Sequence, residues 1–288
     1  MRPGGAAGAE QAGSVRLEDR GGGRVDLVIE RAHRANALTS ALARELEHHL
    51  RQLAAFVQRG APEGDEVACA ALPRVVVLRG AGRHFCGGAD LHEMSRLDVA
   101  GGARFIRGLH EILRAIRTLP LPVVACVRGA ALGAGLEMLA SCDLAVAADD
   151  AVLGMPEPHV GMPSVNEAAL LPGIVGLTRA REMLLLGDSF PASRALELGL
   201  VNRVAPVDGL DAAVDEIVAA LLRHDGETLA LQKALIHRWS NLPMDEAIEA
   251  GVGAFAQALA GEAPGRAMRS ALGRRGSRGR SSPDGSNG

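Results

Sequence analysis

Two carboxylates twenty residues apart, Glu137 and Glu157, are the groups in this chain best placed for chemistry. Ahead of Glu137, an apolar, β-branched run bounded by Pro120 and Pro122 passes through Gly129 and Ala130 into the small residues Gly133, Ala134 and Gly135. The run has the pattern of a buried strand, and the small residues that of a sharp turn. Leu136, Leu139 and Ala140 then recur at helical spacing, so a helix starts at the glycines, with Glu137 off its apolar stripe in the first turn. The first N–H groups of a helix have no intrahelical acceptor and carry the positive end of its dipole. A helix start this poor in side chains can receive a developing negative charge. Glu157, between Pro156 and Pro158, supplies a second acid, and two acids beside an anion site point to proton transfer. Alone, Glu137 would read as an acid stabilised by the dipole, and Glu157 as a solvated turn residue.

A second glycine turn follows the strand-like VVVL, in GAGRHFCGGAD. It is not a dinucleotide-binding turn, because Phe85 stands where GxGxxG needs its third glycine and no acidic ribose partner follows. Cys86 has no base in view and reads as a packing residue, while His92 and His159 read as polar surface groups.

With 288 residues, 48% hydrophobic and 23% charged, the chain can bury a sizeable core. A net charge of −3, no Tyr and one Trp argue against a nucleic-acid surface over its body. The cysteines Cys69, Cys86, Cys126 and Cys142 lack CxxC spacing, which disfavours a thiolate zinc site or a disulfide framework, so reduced thiols are expected. No apolar run is long enough to span a membrane and the start lacks the apolar core of a secretory signal, so the expected compartment is the cytoplasm.

These residues need scaffolding. Residues 1–13 read as a disordered lead, Val15 to Glu30 as two strands joined by a glycine turn, and the stretch after Thr39 or Ser40 as a capped helix bearing Leu42, Leu46, Leu50, Leu53 and Val57. Residues 59–73 read as a surface loop, 74–79 as a buried strand, and 101–119 as an amphipathic helix. LAVAADDAVLG reads as one further strand, and the segment after Ser164 as short helices, with Ser164 and Glu167 as a capping box. The core is expected over 14–205, a helical region over 206–272, and a disordered basic tail over 273–288.

In order, HRANALT, HFCGGADLHEM, VRGAALGAGLEMLASCDLAVAADDAVLGMPE and GDSFPASRALELGLVNRVAP resemble the motifs of the crotonase superfamily, the enoyl-CoA hydratase/isomerase family. The likeness runs from about Val25 to Leu272. It implies an α/β fold, a repeated ββα spiral core with a helical C-terminal region that trimerises, as a homotrimer or a dimer of trimers. It also implies an acyl-CoA substrate, with coenzyme A part of the substrate and no metal or other cofactor. Carried over, the amides of Ala89 and Ala134 would face the thioester oxygen. Gly87, Ala89, Asp90, Leu91 and His92 would lie along coenzyme A, with Arg34 and Ala35 near its nucleotide end. Glu157 would donate a proton at C2, and Glu137 would hold and activate a water. The implied reaction is syn hydration of a 2-enoyl-CoA. Its alternatives are enoyl-CoA isomerisation, thioester hydrolysis, or a catalytically silent scaffold whose basic tail binds RNA. The chain departs from the family after the second acid, where GMPSVNEAALLP replaces a glycine-rich turn. Arg274 and Arg275 stand where the family often has a basic pair near the coenzyme A phosphate.

Overall fold

The structure, a computed structural model, describes residues 13–59, 72–261 and 263–278. Strands β1 (Ser14–Gly21) and β2 (Arg24–Glu30) form an antiparallel hairpin about Gly22 and Gly23. Parallel to β2 run β3 (Val75–Gly80), β4 (Val123–Val127), β6 (Leu144–Ala148) and β9 (Arg203–Ala205), in the order β1-β2-β3-β4-β6-β9. A second sheet orders β5 (Ala130–Leu132), β7 (Val152–Gly154) and β8 (Ser189–Pro191).

LAVAADDAVLG is therefore two strands rather than one. Ala151 N donates to Ala148 O at 3.0 Å, turning the chain at the adjacent acids Asp149 and Asp150, so β6 stays in the large sheet while β7 joins the small one. β4 makes the same exit at Gly129 into β5, so each unit hands its chain from large sheet to small before the next helix.

Both faces of the large sheet are covered, which explains the uninterrupted apolar runs of β3 and β4. Val76, Leu78, Val123 and Ala125 point into the main core with helices α1 (Ser40–Arg59) and α3 (Val99–Thr118). Thr39 Oγ1 accepts from Leu42 N and Asp98 Oδ1 from Gly101 N, capping these two helices. Between them lies the short α2 (Leu91–Met94), and α4 (Ala134–Ala140) follows β5. Beyond β7 come α5 (Leu171–Val175), α6 (Leu177–Leu186) and α7 (Ala192–Glu197).

Val75, Val77, Val124 and Val146 point to the other face, where α8 (Leu210–Leu222) covers them with Leu210, Val214, Ile217 and Val218. This burial corrects the expected boundary at 205/206, because α8 belongs with the sheet. The chain divides instead into Met1–Arg223 and His224–Gly288. The second unit holds α9 (Gly226–Trp239), α10 (Met244–Ala260) and α11 (Ala263–Arg278), the last continuing past residue 272, where the helical region was expected to end. Most of the expected lead and of the 59–73 loop, and the tail from 279, lie outside the described residues. Among the described residues no helix is long and apolar enough to cross a membrane.

Candidate active site

The two glycine turns lie side by side. Cys86 N donates to Ala130 O at 2.9 Å and Leu132 N to Cys86 O at 3.0 Å, so the chain entering the first turn is stitched along β5 as it enters the second. Gly135 packs directly on the Cys86 carbonyl, leaving no room for a Cβ. Gly88 (φ +103°) and Gly133 (φ +52°) turn the backbone immediately before Ala89 and Ala134.

Leu38 pairs with Ala89 in a single parallel bridge, with Leu38 N donating to Gly88 O at 2.8 Å and Asp90 N to Leu38 O at 2.9 Å. Successive N–H groups of extended backbone point to opposite sides, so that of Ala89 faces away from Leu38. Ala134 opens α4 and has no carbonyl one turn behind it within the helix. Among the described residues no protein group accepts from either amide. Ala89 and Ala134 both line one cavity of about 700 Å³, together with Glu137 and Glu157.

Glu137, off the apolar stripe of α4, is nevertheless buried. Every residue from Ala134 to Leu139 is buried, and Glu137 is 4% exposed. Its Oε1 accepts from Ala168 N at 3.1 Å. Burial pushes its carboxyl up to about 8; the Ala168 amide opposes the rise, and the charges of Glu157 and Glu167 add to it. Glu157 opens a one-turn 3-10 helix, Glu157–Val160, with its Oε2 accepting from Ser164 Oγ at 2.9 Å and its Oε1 against Gly133.

The capping box is not formed. Ser164 is spent on Glu157, the 3-10 turn Asn166–Leu170 begins after Val165 with no side-chain cap, and Glu167 reaches back to α3. There Arg117 Nη2 lies 2.7 Å and His110 Nδ1 3.0 Å from Glu167 Oε1. A buried carboxylate next to two basic groups binds them rather than the amide of an exposed cap. An N–H still reaches the site from this segment, through Ala168.

Of the residues expected along coenzyme A, Gly87, Ala89, Leu91 and Ala134 line the cavity. Ala35 sits behind it, accepting from Gly87 N at 2.7 Å, and Arg34 Nη1 pairs with His92 Nε2 at 3.0 Å on the exposed surface. Asp90 does not line the cavity. It is 4% exposed, its Oδ1 caps α2 through Glu93 N at 2.7 Å, and its Oδ2 takes Arg31 Nη1 at 2.6 Å. These partners hold its carboxyl below the ordinary range despite burial, so the side chain braces the turn. His159 Nε2 lies 3.1 Å from Leu186 O, and burial pushes the Cys86 thiol up to about 12, in keeping with a packing residue.

Sequence reasoning overlooked Asn36, Arg31, Arg117 and His110. Asn36 is fully buried at φ +56°, its amide donating to Ala81 O and His84 O at 2.9 and 2.6 Å and its Oδ1 accepting from Arg31 N at 2.8 Å. It ties the HRANALT segment to the first glycine turn. Asn is the residue that both tolerates left-handed backbone and bonds in three directions, and that was the available signal. The Arg117–Glu167 pair, fifty positions apart, left none.

Two parallel ββα hand-offs that set two glycine turns beside a pair of acids define a crotonase-fold protein. Solved structures agree: enoyl-CoA hydratase from Bacillus anthracis superposes with TM-score 0.81 at 26% identity, covering 91% of this chain and 96% of that one. Enoyl-CoA hydratase from Mycobacterium smegmatis gives 0.77 at 30% identity, covering 85% and 90%. Residues 23–267 match the family model described as enoyl-CoA hydratase/isomerase, and the chain belongs to that family. It is 30% identical to the short-chain-enoyl-CoA hydratase of Clostridium acetobutylicum over 83% of this chain and 88% of that protein. It is also 35% identical to the enoyl-CoA isomerase/hydratase fer4 of Mycosarcoma maydis over 62% of this chain and 64% of that protein.

Proposed function

We propose that the protein hydrates the double bond of a 2-enoyl-CoA to give a 3-hydroxyacyl-CoA. One observation carries this reading: two amides without protein acceptors and two carboxyls share the wall of a single cavity. Addition of water across an enoyl thioester places negative charge on the carbonyl oxygen. Donors from Ala89 and Ala134 that stabilise this charge in a water-poor site contribute about 3 kcal/mol each. The remaining wall is largely apolar, including Met94, Leu97, Phe105, Ile106 and Leu109, which suits an acyl chain.

The acids divide the work by position. Glu157 leans on Gly133, next to the Ala134 amide, so it faces the carbon adjacent to the carbonyl, C2. Glu137 lies a helical turn further on, toward C3. Burial keeps Glu137 neutral at pH 7, so it holds the water by hydrogen bonding while Glu157 takes the proton. As the water oxygen bonds to C3, Glu157 accepts one of its protons and passes it to C2, returning to its starting state. In this reading Glu157 keeps the proton-donor role expected of it and also takes the proton from water, with Glu137 as the holder of that water. In the second unit, Trp239, Ile248, Val252 and Phe255 expose apolar surface, which supports the trimer that the family resemblance implies.

Loss of the enoyl-thioester absorbance on mixing purified protein with 2-enoyl-CoAs, with 3-hydroxyacyl-CoA as product, is the test. Conversion of 3-enoyl-CoA to 2-enoyl-CoA without hydration would make the protein an isomerase. Release of free coenzyme A thiol would make it a hydrolase.

A further inference from the structure

Residues 164–168 grip both acids at once. Ser164 Oγ donates to Glu157 Oε2 at 2.9 Å, and Ala168 N donates to Glu137 Oε1 at 3.1 Å. Between these two donors the segment is fastened to α3 at two points. Asn166 Nδ2 donates to Ile106 O at 3.1 Å, and Glu167 takes Arg117 at 2.7 Å and His110 at 3.0 Å. Asn166 stands at φ +49°, so the backbone is bent sharply between the two grips.

We propose that Glu167 is a positioning residue which, through Arg117, locks residues 164–168 to α3 and so fixes where the Glu137 and Glu157 carboxyls face each other. The proposal rests on the hydratase reading of those two acids. Glu167 does not line the cavity and is 3% exposed, so it acts through its neighbours rather than on substrate. Its position in the chain makes the coupling direct, because the residue bonded to Arg117 is followed immediately by the residue whose amide holds Glu137. An Arg–carboxylate pair with this little solvent around it is strongly directional, and a loose segment would let the Ala168 amide and the Ser164 hydroxyl drift together. Misplacing a reacting group by about 1 Å can cost about a hundredfold in rate.

The same pair sets the charge around Glu137. The ionisable groups facing it are Glu157, from the 3-10 turn, and Glu167; the partners of Glu167 on α3 are Arg117 and His110. Removing the negative charge of Glu167 leaves Arg117 unopposed and eases ionisation of Glu137, whereas removing Arg117 exposes Glu137 to an uncompensated carboxylate. Where ionisation of Glu137 sets the alkaline limb of the rate profile, the two changes move that limb in opposite directions. A purely structural role would lower both rates without that opposition.

The experiment compares kcat/KM against pH for the full-length parent, Glu157→Gln, Glu167→Gln, Arg117→Gln and Arg117→Lys, with thermal unfolding recorded on each. Glu167→Gln, which keeps the side-chain shape, is expected to lower kcat about tenfold or more. It should also shift the alkaline limb down by about half a pH unit or more. Arg117→Gln should shift the limb up, and Arg117→Lys should restore most of it. Where Arg117→Gln does not fold, Glu167→Gln and Arg117→Lys carry the comparison. A parental kcat and an unmoved limb in Glu167→Gln, with Glu157→Gln inactive, would overturn the proposal while leaving the hydratase reading intact. Full activity in Glu157→Gln would instead remove the reading on which it rests.

Discussion

The Oε1 of Glu157 rests against Gly133, the residue immediately before the Ala134 amide, so closely that a Cβ at 133 would overlap the carboxylate oxygen. One backbone position thus sets both the aim of an amide and the seat of an acid. Gly133→Ala must meet both demands, at φ +52° and in occupied space. It should lose about 1–3 kcal/mol of stability from backbone strain and about a hundredfold in turnover from misalignment. Denaturant unfolding alongside steady-state kinetics checks the pair of effects.

Glu157→Gln should lower kcat by about two orders of magnitude or more, the usual share of a positioned proton-transfer group, and Glu137→Ala, which removes the holder of the water, should lose about a hundredfold through misplacement of the attacking oxygen. If Glu157 carries the proton from water to C2, Glu157→Gln should also abolish exchange of the C2 hydrogen of a 3-hydroxyacyl-CoA with deuterated solvent. Proton NMR of the product reads that exchange directly.

Burial raises the Glu137 carboxyl from 4.5 in the unfolded chain to about 8 in the folded one. Between those values the unfolded chain has released a proton that the native state keeps. Stability contributed by this group is full below about pH 4.5 and falls by about 1.4 kcal/mol per pH unit until the folded group ionises near 8. Glu137→Gln should flatten this part of the stability profile, measured by urea unfolding from pH 5 to about 9.

Asp90 is buried against Arg31 and the start of α2, so Asp90→Ala should act on folding rather than on coenzyme A recognition. Breaking a buried pair by removing one partner costs about 3–5 kcal/mol. The expected outcome is a large fall in the unfolding midpoint, with the Kd for a saturated acyl-CoA at low temperature little changed in the folded fraction. Calorimetric titration and thermal unfolding distinguish the two.

Cys86 is fully buried and its thiol is pushed up to about 12, whereas Cys142 is partly exposed. Native-state alkylation at pH 8 should label Cys142 well before Cys86, and mass spectrometry of the labelled peptides reads the order.

Strands β2, β3 and β4, the helices α1 and α3, both glycine turns and the pair of acids were legible from residue order alone. Each is a local pattern: a run of β-branched residues, a 3.6-residue stripe, a cap, a cluster of glycines, a carboxylate at a fixed offset. What the sequence could not show was which patterns share a surface. The two strands of LAVAADDAVLG were hidden because a turn at Asp149 and Asp150 sends neighbouring residues to different sheets, and sheet membership depends on distant partners. The helical stripe could not show how deeply Glu137 is buried, because α4 is covered by residues distant in the chain. Ser164 and Glu167 have the spacing of a capping box, but partners brought from Glu157 and from Arg117 and His110 bind them more strongly than a solvent-exposed helix end would. Sequence determined the parts and their chemistry, because propensity and periodicity act over a few bonds. Tertiary structure decided the burial of Glu137, the pairing of Asp90 with Arg31 and the fastening of residues 164–168 to α3, because burial and ion pairing are set by residues that meet only once the chain has folded.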